Sequence, residues 1–168
     1  MKVTNLVYTT RIGTKIDLQL VANSSLARYN PRRFNGLITK QGGGTCLLFN
    51  NGKLVIVGVK TRKEAVETMN LLIEMLRKLN FEVNDGYLYL RNLVAYHDYE
   101  VEVYLPALYN SLRGKYVVTY EPEISPALMI KIPYTIRIFH NGKVIFTGLK
   151  SFGQLDEAYE FARRVLLG

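Results

Sequence analysis

Between Leu47 and Val57 the apolar residues do not alternate cleanly with polar ones but occupy both phases of a strand. Leu47 and Phe49 face one way and Leu48 the other, while Val55 and Val57 oppose Leu54 and Ile56. Strands apolar on both faces need cover on both. Helical spacing supplies one cover: Ala65, Met69, Leu72, Leu76 and Leu79 share a helix face, as do Leu155, Ala158, Ala162 and Val165. Each helix has a capping-box start, Thr61 to Glu64 and Ser151 to Gln154. These stripes are core and receive no cofactor. Nothing in the pattern covers the second apolar face.

The pattern is duplicated. FNNGKLVIVGVK, residues 49–60, returns as FHNGKVIFTGLK, residues 139–150. Asn5-Leu6-Val7 matches Asn92-Leu93-Val94, and YNPRRFNGLI from Tyr29 matches YEPEISPALM from Tyr120, at offsets of 87 and 91. That period is too long for a helical or leucine-rich array, where repeats run roughly twenty to fifty residues. Two homologous halves, 1–84 and 85–168, follow, each with the same elements: a strand (3–11, 87–96), a short helix, a run of strands and a long terminal helix. The first short helix begins at Asp17, a good N-cap; the second has Pro106 in its first turn and Gly114 as terminator. Asn-Gly-Lys in both copies marks a tight hairpin turn.

Composition narrows the chemistry. The chain has 22 Lys and Arg against 14 Asp and Glu, a net charge of +8, which favours polyanions. Cys46 is the single cysteine, so no intramolecular disulfide forms and a reducing compartment fits. No secretory signal opens the chain, and no run reaches the roughly eighteen apolar residues of a membrane span. A soluble intracellular protein is expected. His97 and His140 lack partners at metal-ligand spacing, QGGG at 41–44 lacks the Lys-Ser/Thr of a phosphate loop, and no nucleophile accompanies His97 and Asp98. No enzyme, metal or cofactor is expected.

The ordered pieces resemble the conserved core of the TATA-box-binding protein family over nearly the whole chain. They are NLV, YNPRRF, LLF, NGK and VGVK, then NLV, YEPE, RIF, NGK and TGLK. The resemblance implies an α+β fold: two pseudo-twofold repeats forming one curved antiparallel sheet, a saddle, with four helices on the convex face. Its concave apolar face would take the DNA minor groove, where apolar wedges unstack base steps and kink the duplex, as is general in that family.

Carried over position by position, the resemblance implies that Asn5 and Asn92 donate to minor-groove acceptors, assisted by Thr147. Val7, Val55, Val94 and Ile145 match the aliphatic floor, which accepts A·T pairs and crowds the amino group of guanine, and Leu47 counts among the DNA-binding positions. Phe34 and Phe49 match one pair of wedges, and Phe139 one member of the other. Arg33, Lys53, Lys60, Lys143 and Lys150 fall where phosphates are gripped. Three positions depart from the family: Ser125 replaces the fourth wedge, Val57 replaces a threonine and lacks its hydroxyl, and Arg137 stands where an aliphatic residue is expected. The turns of both halves are also two or three residues shorter than the family's usual ones.

YEPEI resembles the acidic stirrup that holds transcription factor IIB in this family, with Glu121 and Glu123 as charge partners and Ile124 in place of a leucine. The expected function is therefore a general transcription initiation factor that binds A·T-rich promoter DNA, bends it, and recruits a IIB-type protein and RNA polymerase. A homodimer through the concave face is the candidate state of the free protein. The expected location is the nucleus in a eukaryote, otherwise the cytoplasm, nucleoid or a viral factory. One rival is a degenerate adaptor that holds IIB-type factors with weak or altered bending. Another is an accessory domain of a nucleic-acid enzyme, against which two complete halves and no catalytic domain argue.

Overall fold

The structure, a computed structural model, describes residues 1–168. The chain forms two compact units, Asn5–Arg91 and Asn92–Gly168, the latter joined by Met1–Thr4. In order, the elements are β1 (Lys2–Arg11), α1 (Leu18–Asn23), β2 (Leu37–Gln41), β3 (Gly44–Leu48), β4 (Lys53–Val59) and α2 (Arg62–Lys78), then β5 (Tyr89–Asp98), α3 (Leu105–Leu112), β6 (Val117–Thr119), β7 (Leu128–Lys131), β8 (Thr135–Ile138), β9 (Lys143–Leu149) and α4 (Phe152–Leu167).

Within the first unit the strands run β2-β3-β4-β1, and within the second β5-β9-β8-β7-β6, with the neighbours in each run antiparallel. The class is α+β, as the alternation and the two helical stripes require. One face of the strands in each unit meets a helix. Leu6 and Tyr8 of β1, Cys46 and Leu48 of β3, and Leu54 and Ile56 of β4 are buried, as are Ala65, Leu72 and Leu76 of α2, which packs on β2, β3 and β4. In the second unit Leu93, Ala95, Val144 and Phe146 are buried with Leu155, Ala158 and Ala162 of α4. Burying such side chains stabilises by about 1.5–3 kcal/mol each. Two positions of the expected stripes fall short of the core: Leu79 caps α2 and is half-buried, and Val165 near the end of α4 is half-buried too.

Local sequence sets the helix ends. The Thr61 hydroxyl accepts from the Glu64 N–H at 3.1 Å and the Ser151 hydroxyl from the Gln154 N–H at 3.1 Å. The return bonds reach one residue earlier than a standard capping box: Glu64 accepts from the Lys60 N–H at 2.9 Å and Gln154 from the Lys150 N–H at 2.7 Å. Asp17 caps α1 by accepting from the Leu20 N–H at 3.1 Å. Pro106 lies in the first turn of α3, and Gly114, with φ 86°, follows its C-cap Arg113.

The halves are not identical. β6 has no equivalent strand in the first unit, where a single bridge joins Arg28 to Ile38. β5 starts at Tyr89, two residues later than the alternation predicts. The reason is close packing: a Cβ on Gly86 would lie 2.1 Å from the Thr10 hydroxyl, so the chain here presses against β1 instead of running in a ladder. The register of β1 on β4 slips by one residue between Leu6–Val59 and Tyr8–Ile56, and that of β5 on β9 between Leu93–Leu149 and Ala95–Phe146. These are bulges, and Gly58 (φ 82°) and Gly148 (φ 76°) occupy them. A Cβ at either would touch nothing within 4 Å, so glycine is present for its backbone angle alone.

Candidate nucleic-acid interface

In the first unit, alternation turns Asn5, Val7, Thr9 and Arg11 of β1 away from buried Leu6, Tyr8 and Thr10. Register then assembles a face. Thr9 is opposite Val55, Arg11 opposite Lys53, Leu47 opposite both Val55 and Ile38, and Thr45 opposite Val57. These apolar side chains are half-buried, with no helix over them. The Asn5 amide oxygen accepts from the N–H of bulge residue Gly58 at 2.8 Å. This bond fixes the amide, leaving its NH₂ group, a pure donor, facing outward. Phe34 and Phe49 meet beside this face, with Phe34 38% exposed.

The second unit repeats the arrangement with different chemistry. Asn92, Val94, Tyr96 and Asp98 project from the open side of β5, with Tyr96 opposite Ile145 and Asp98 opposite Lys143. On β8, Thr135 is opposite Thr147, and Arg137 lies between Ile145 and Met129. Arg137 is exposed, since neighbours Ile136 and Ile138 take the buried phase. Ser125 and Phe139 stand where Phe34 and Phe49 stand in the first unit, and the Ser125 hydroxyl turns to its own loop, accepting from the Ala127 N–H at 3.4 Å. The two wedge positions therefore do not build an aromatic pair here.

Lys60 and Lys150 are exposed at the junctions before α2 and α4, and Arg33 is exposed in the loop preceding Phe34. Glu121, Glu123 and Ile124 lie on an exposed loop held by bonds from the N–H groups of Ile124 and Ser125 to the Glu121 carbonyl, both 2.9 Å; Ile124 is 81% exposed. Ile38, Thr45, Thr9 and Arg11 of the first open face and Met129, Thr135, Tyr96 and Asp98 of the second were not among the expected site residues. Continuing the period-two count to the strand ends would have found them. His97 has a structural place not foreseen as such: it packs edge-on to Tyr99 and Tyr159, with centroids 4.6 and 5.0 Å away, and burial pushes its pKa down. No group of three or more His, Cys, Asp or Glu residues could hold a metal, and no helix is long and apolar enough to cross a membrane.

A family model described as transcription factor TFIID (or TATA-binding protein, TBP) matches residues 1–79 and 88–167. Among curated proteins, the chain is 33% identical over 162 residues to TATA box-binding protein-like 2 of Rattus norvegicus, covering 93% of this chain and 46% of that protein. It is 32% identical over 173 residues to the TBP-related factor of Drosophila melanogaster, covering 99% and 76%. The chain spans about half the length of several curated relatives it matches, 46% and 56% in the rat protein and the Danio rerio TATA-box-binding protein. Among solved structures, Methanococcus jannaschii TBP superimposes with a TM-score of 0.89 at 30% identity, over 98% of this chain and 96% of that one.

Proposed function

The chain belongs to the TATA-binding-protein family, whose members are non-enzymatic transcription factors, and we propose that it is a transcription initiation factor that seats A·T-rich duplex DNA in the minor groove on its two open sheet faces. The observation that carries this reading is the repeated open face: an asparagine and an aliphatic floor in the same order in both units, left uncovered by any helix, with the ring pair Phe34 and Phe49 beside the first and Phe139 without a second ring in the other. Exposed apolar surface rimmed by polar groups marks an interaction site. The outward NH₂ of Asn5 suits adenine N3 and thymine O2, which only accept, and Val7, Val55, Val94 and Ile145 leave no polar partner for the guanine amino group. Arg33, Lys53, Lys60, Lys143 and Lys150 would hold phosphates.

We further propose that Glu121, Glu123 and Ile124 dock a basic surface of a IIB-type protein, and through it RNA polymerase. Competition separates the grooves. A minor-groove ligand should displace the protein from an A·T-rich duplex, a major-groove blocker should not, and inosine·cytosine pairs should replace A·T. The opposite pattern would sink the reading. The adaptor reading, in which IIB-type binding persists with little bending, draws support from Ser125, Val57 and Arg137. However, Thr45 directly opposite Val57 keeps a hydroxyl beside the missing one.

A further inference from the structure

The two open faces end in different charges. On the first, Arg11 of β1 is the cross-strand partner of Lys53, so two cations stand side by side. On the second, the matching pair is Asp98 of β5 and Lys143 of β9. The surrounding hairpins share one bond, from the Lys53 N–H to the Asn51 side chain at 3.0 Å and from the Lys143 N–H to that of Asn141 at 3.3 Å, and in the first the Arg11 guanidinium also donates to the Asn51 carbonyl. Asp98 is held in place without an ion pair. Its carboxylate accepts from the Glu100 N–H at 2.9 Å, and Glu100 adopts a left-handed backbone angle, φ 55°. The imbalance extends across the units. Asn5–Arg91 carries 13 basic and 6 acidic residues, the rest of the chain 9 and 8.

Directly opposed residues on one face of an antiparallel pair bring their Cβ atoms to about 4.5–5.5 Å. A carboxylate at that range partly neutralises a lysine before any phosphate arrives, and it repels the phosphate itself. We propose that Asp98 acts as a negative positioning residue: it weakens the phosphate grip of Lys143, so that Arg11 and Lys53 of the first unit carry the stronger electrostatic hold on DNA. This rests on the duplex-binding reading above. The wedge pattern points the same way, because the unit with the paired cations also has the paired rings, Phe34 and Phe49.

The test is the salt dependence of binding to a short labelled duplex with a central A·T run, measured for the wild type, Asp98→Asn, Lys53→Gln, Lys143→Gln and the Asp98→Asn/Lys143→Gln double variant. Asparagine can still accept from the Glu100 N–H, so the turn is retained, and far-UV circular dichroism checks the fold. Neutralising one phosphate contributes about 0.9 to the slope of log K against log salt. Lys53→Gln should flatten the slope by about that amount and Lys143→Gln by less. Asp98→Asn should steepen it and tighten binding about two- to fivefold at low salt, a gain the double variant loses. If Asp98→Asn leaves slope and affinity unchanged while the wild type binds, this inference alone falls, and equal effects of Lys53→Gln and Lys143→Gln would overturn it too. If the wild type binds no duplex, the duplex-binding reading itself is refuted, and this inference with it.

Discussion

The rings of Phe34 and Phe49 meet edge to face, with centroids 5.7 Å apart and planes at 68°. The contact depends on Gly36, where a Cβ would stand 2.6 Å from the Phe34 ring and 3.2 Å from that of Phe49. In the second unit the matching residues are Ser125, Phe139 and Ala127, so both the ring and the glycine beneath it are missing.

One kink should therefore be shallower than the other, because a single ring fills less of an opened base step. The total bend should fall below the roughly 80° typical of TATA-binding proteins. Ser125→Phe should deepen the weak kink, and Ser125→Phe with Ala127→Gly should deepen it further. Phe34→Ala should damage the strong one and weaken binding by about 1–3 kcal/mol. Energy transfer across end-labelled duplexes measures each bend. An unchanged bend in the double variant would show that position 125 does not reach DNA.

Asn5→Asp separates recognition from folding. The new carboxylate can still accept from the Gly58 N–H, so stability should stay within about 0.5 kcal/mol. The outward donor is lost and replaced by an acceptor facing acceptors, so duplex affinity should drop by about 1–3 kcal/mol. Parallel urea titration and anisotropy measure the two quantities. Equal affinity for wild type and variant would remove Asn5 from the interface.

Glu121→Arg with Glu123→Arg should abolish recruitment of a IIB-type factor while leaving duplex affinity equal or slightly higher. Both side chains are exposed and the loop is held by backbone bonds, so the fold should tolerate the change. A pull-down with the host's own IIB-type protein decides it; undiminished recruitment would remove this loop from the partner surface.

Cys46 supplies a pH signature. Burial on β3 pushes its thiol from the ordinary 9.0 up to about 12. A folded state that holds the proton more tightly than the unfolded one is fully favoured below pH 9, and loses stability as pH rises from there towards 12. Between pH 9 and 10, where Cys46 titrates ahead of the buried tyrosines, whose ordinary value is 10.0, the urea midpoint should fall in the wild type and fall less in Cys46→Ala. At pH 8 a thiol reagent should label Cys46 only as fast as the protein unfolds. Rapid labelling of the native protein would contradict the buried placement.

The sequence by itself determined the repeat, the helix starts and the two-sided strands. These are local or periodic properties: Thr61 caps Glu64 three residues away, and alternation assigns Leu54 and Val55 to opposite faces without reference to any partner. The proposed wedge, floor and phosphate roles rest only on the ordered resemblance of both halves, since one Phe or Val alone reads as core. Tertiary structure decided what depends on register between distant segments. Asn5 meets Gly58, 53 residues away, only because a bulge places that N–H beside it. Arg11 meets Lys53 and Asp98 meets Lys143 only because antiparallel ladders bring those positions opposite one another. A one-residue slip would turn every side chain to the other face, and outside the Asn-Gly-Lys hairpins nothing local in the chain specifies which residue of one strand will lie across from which residue of another.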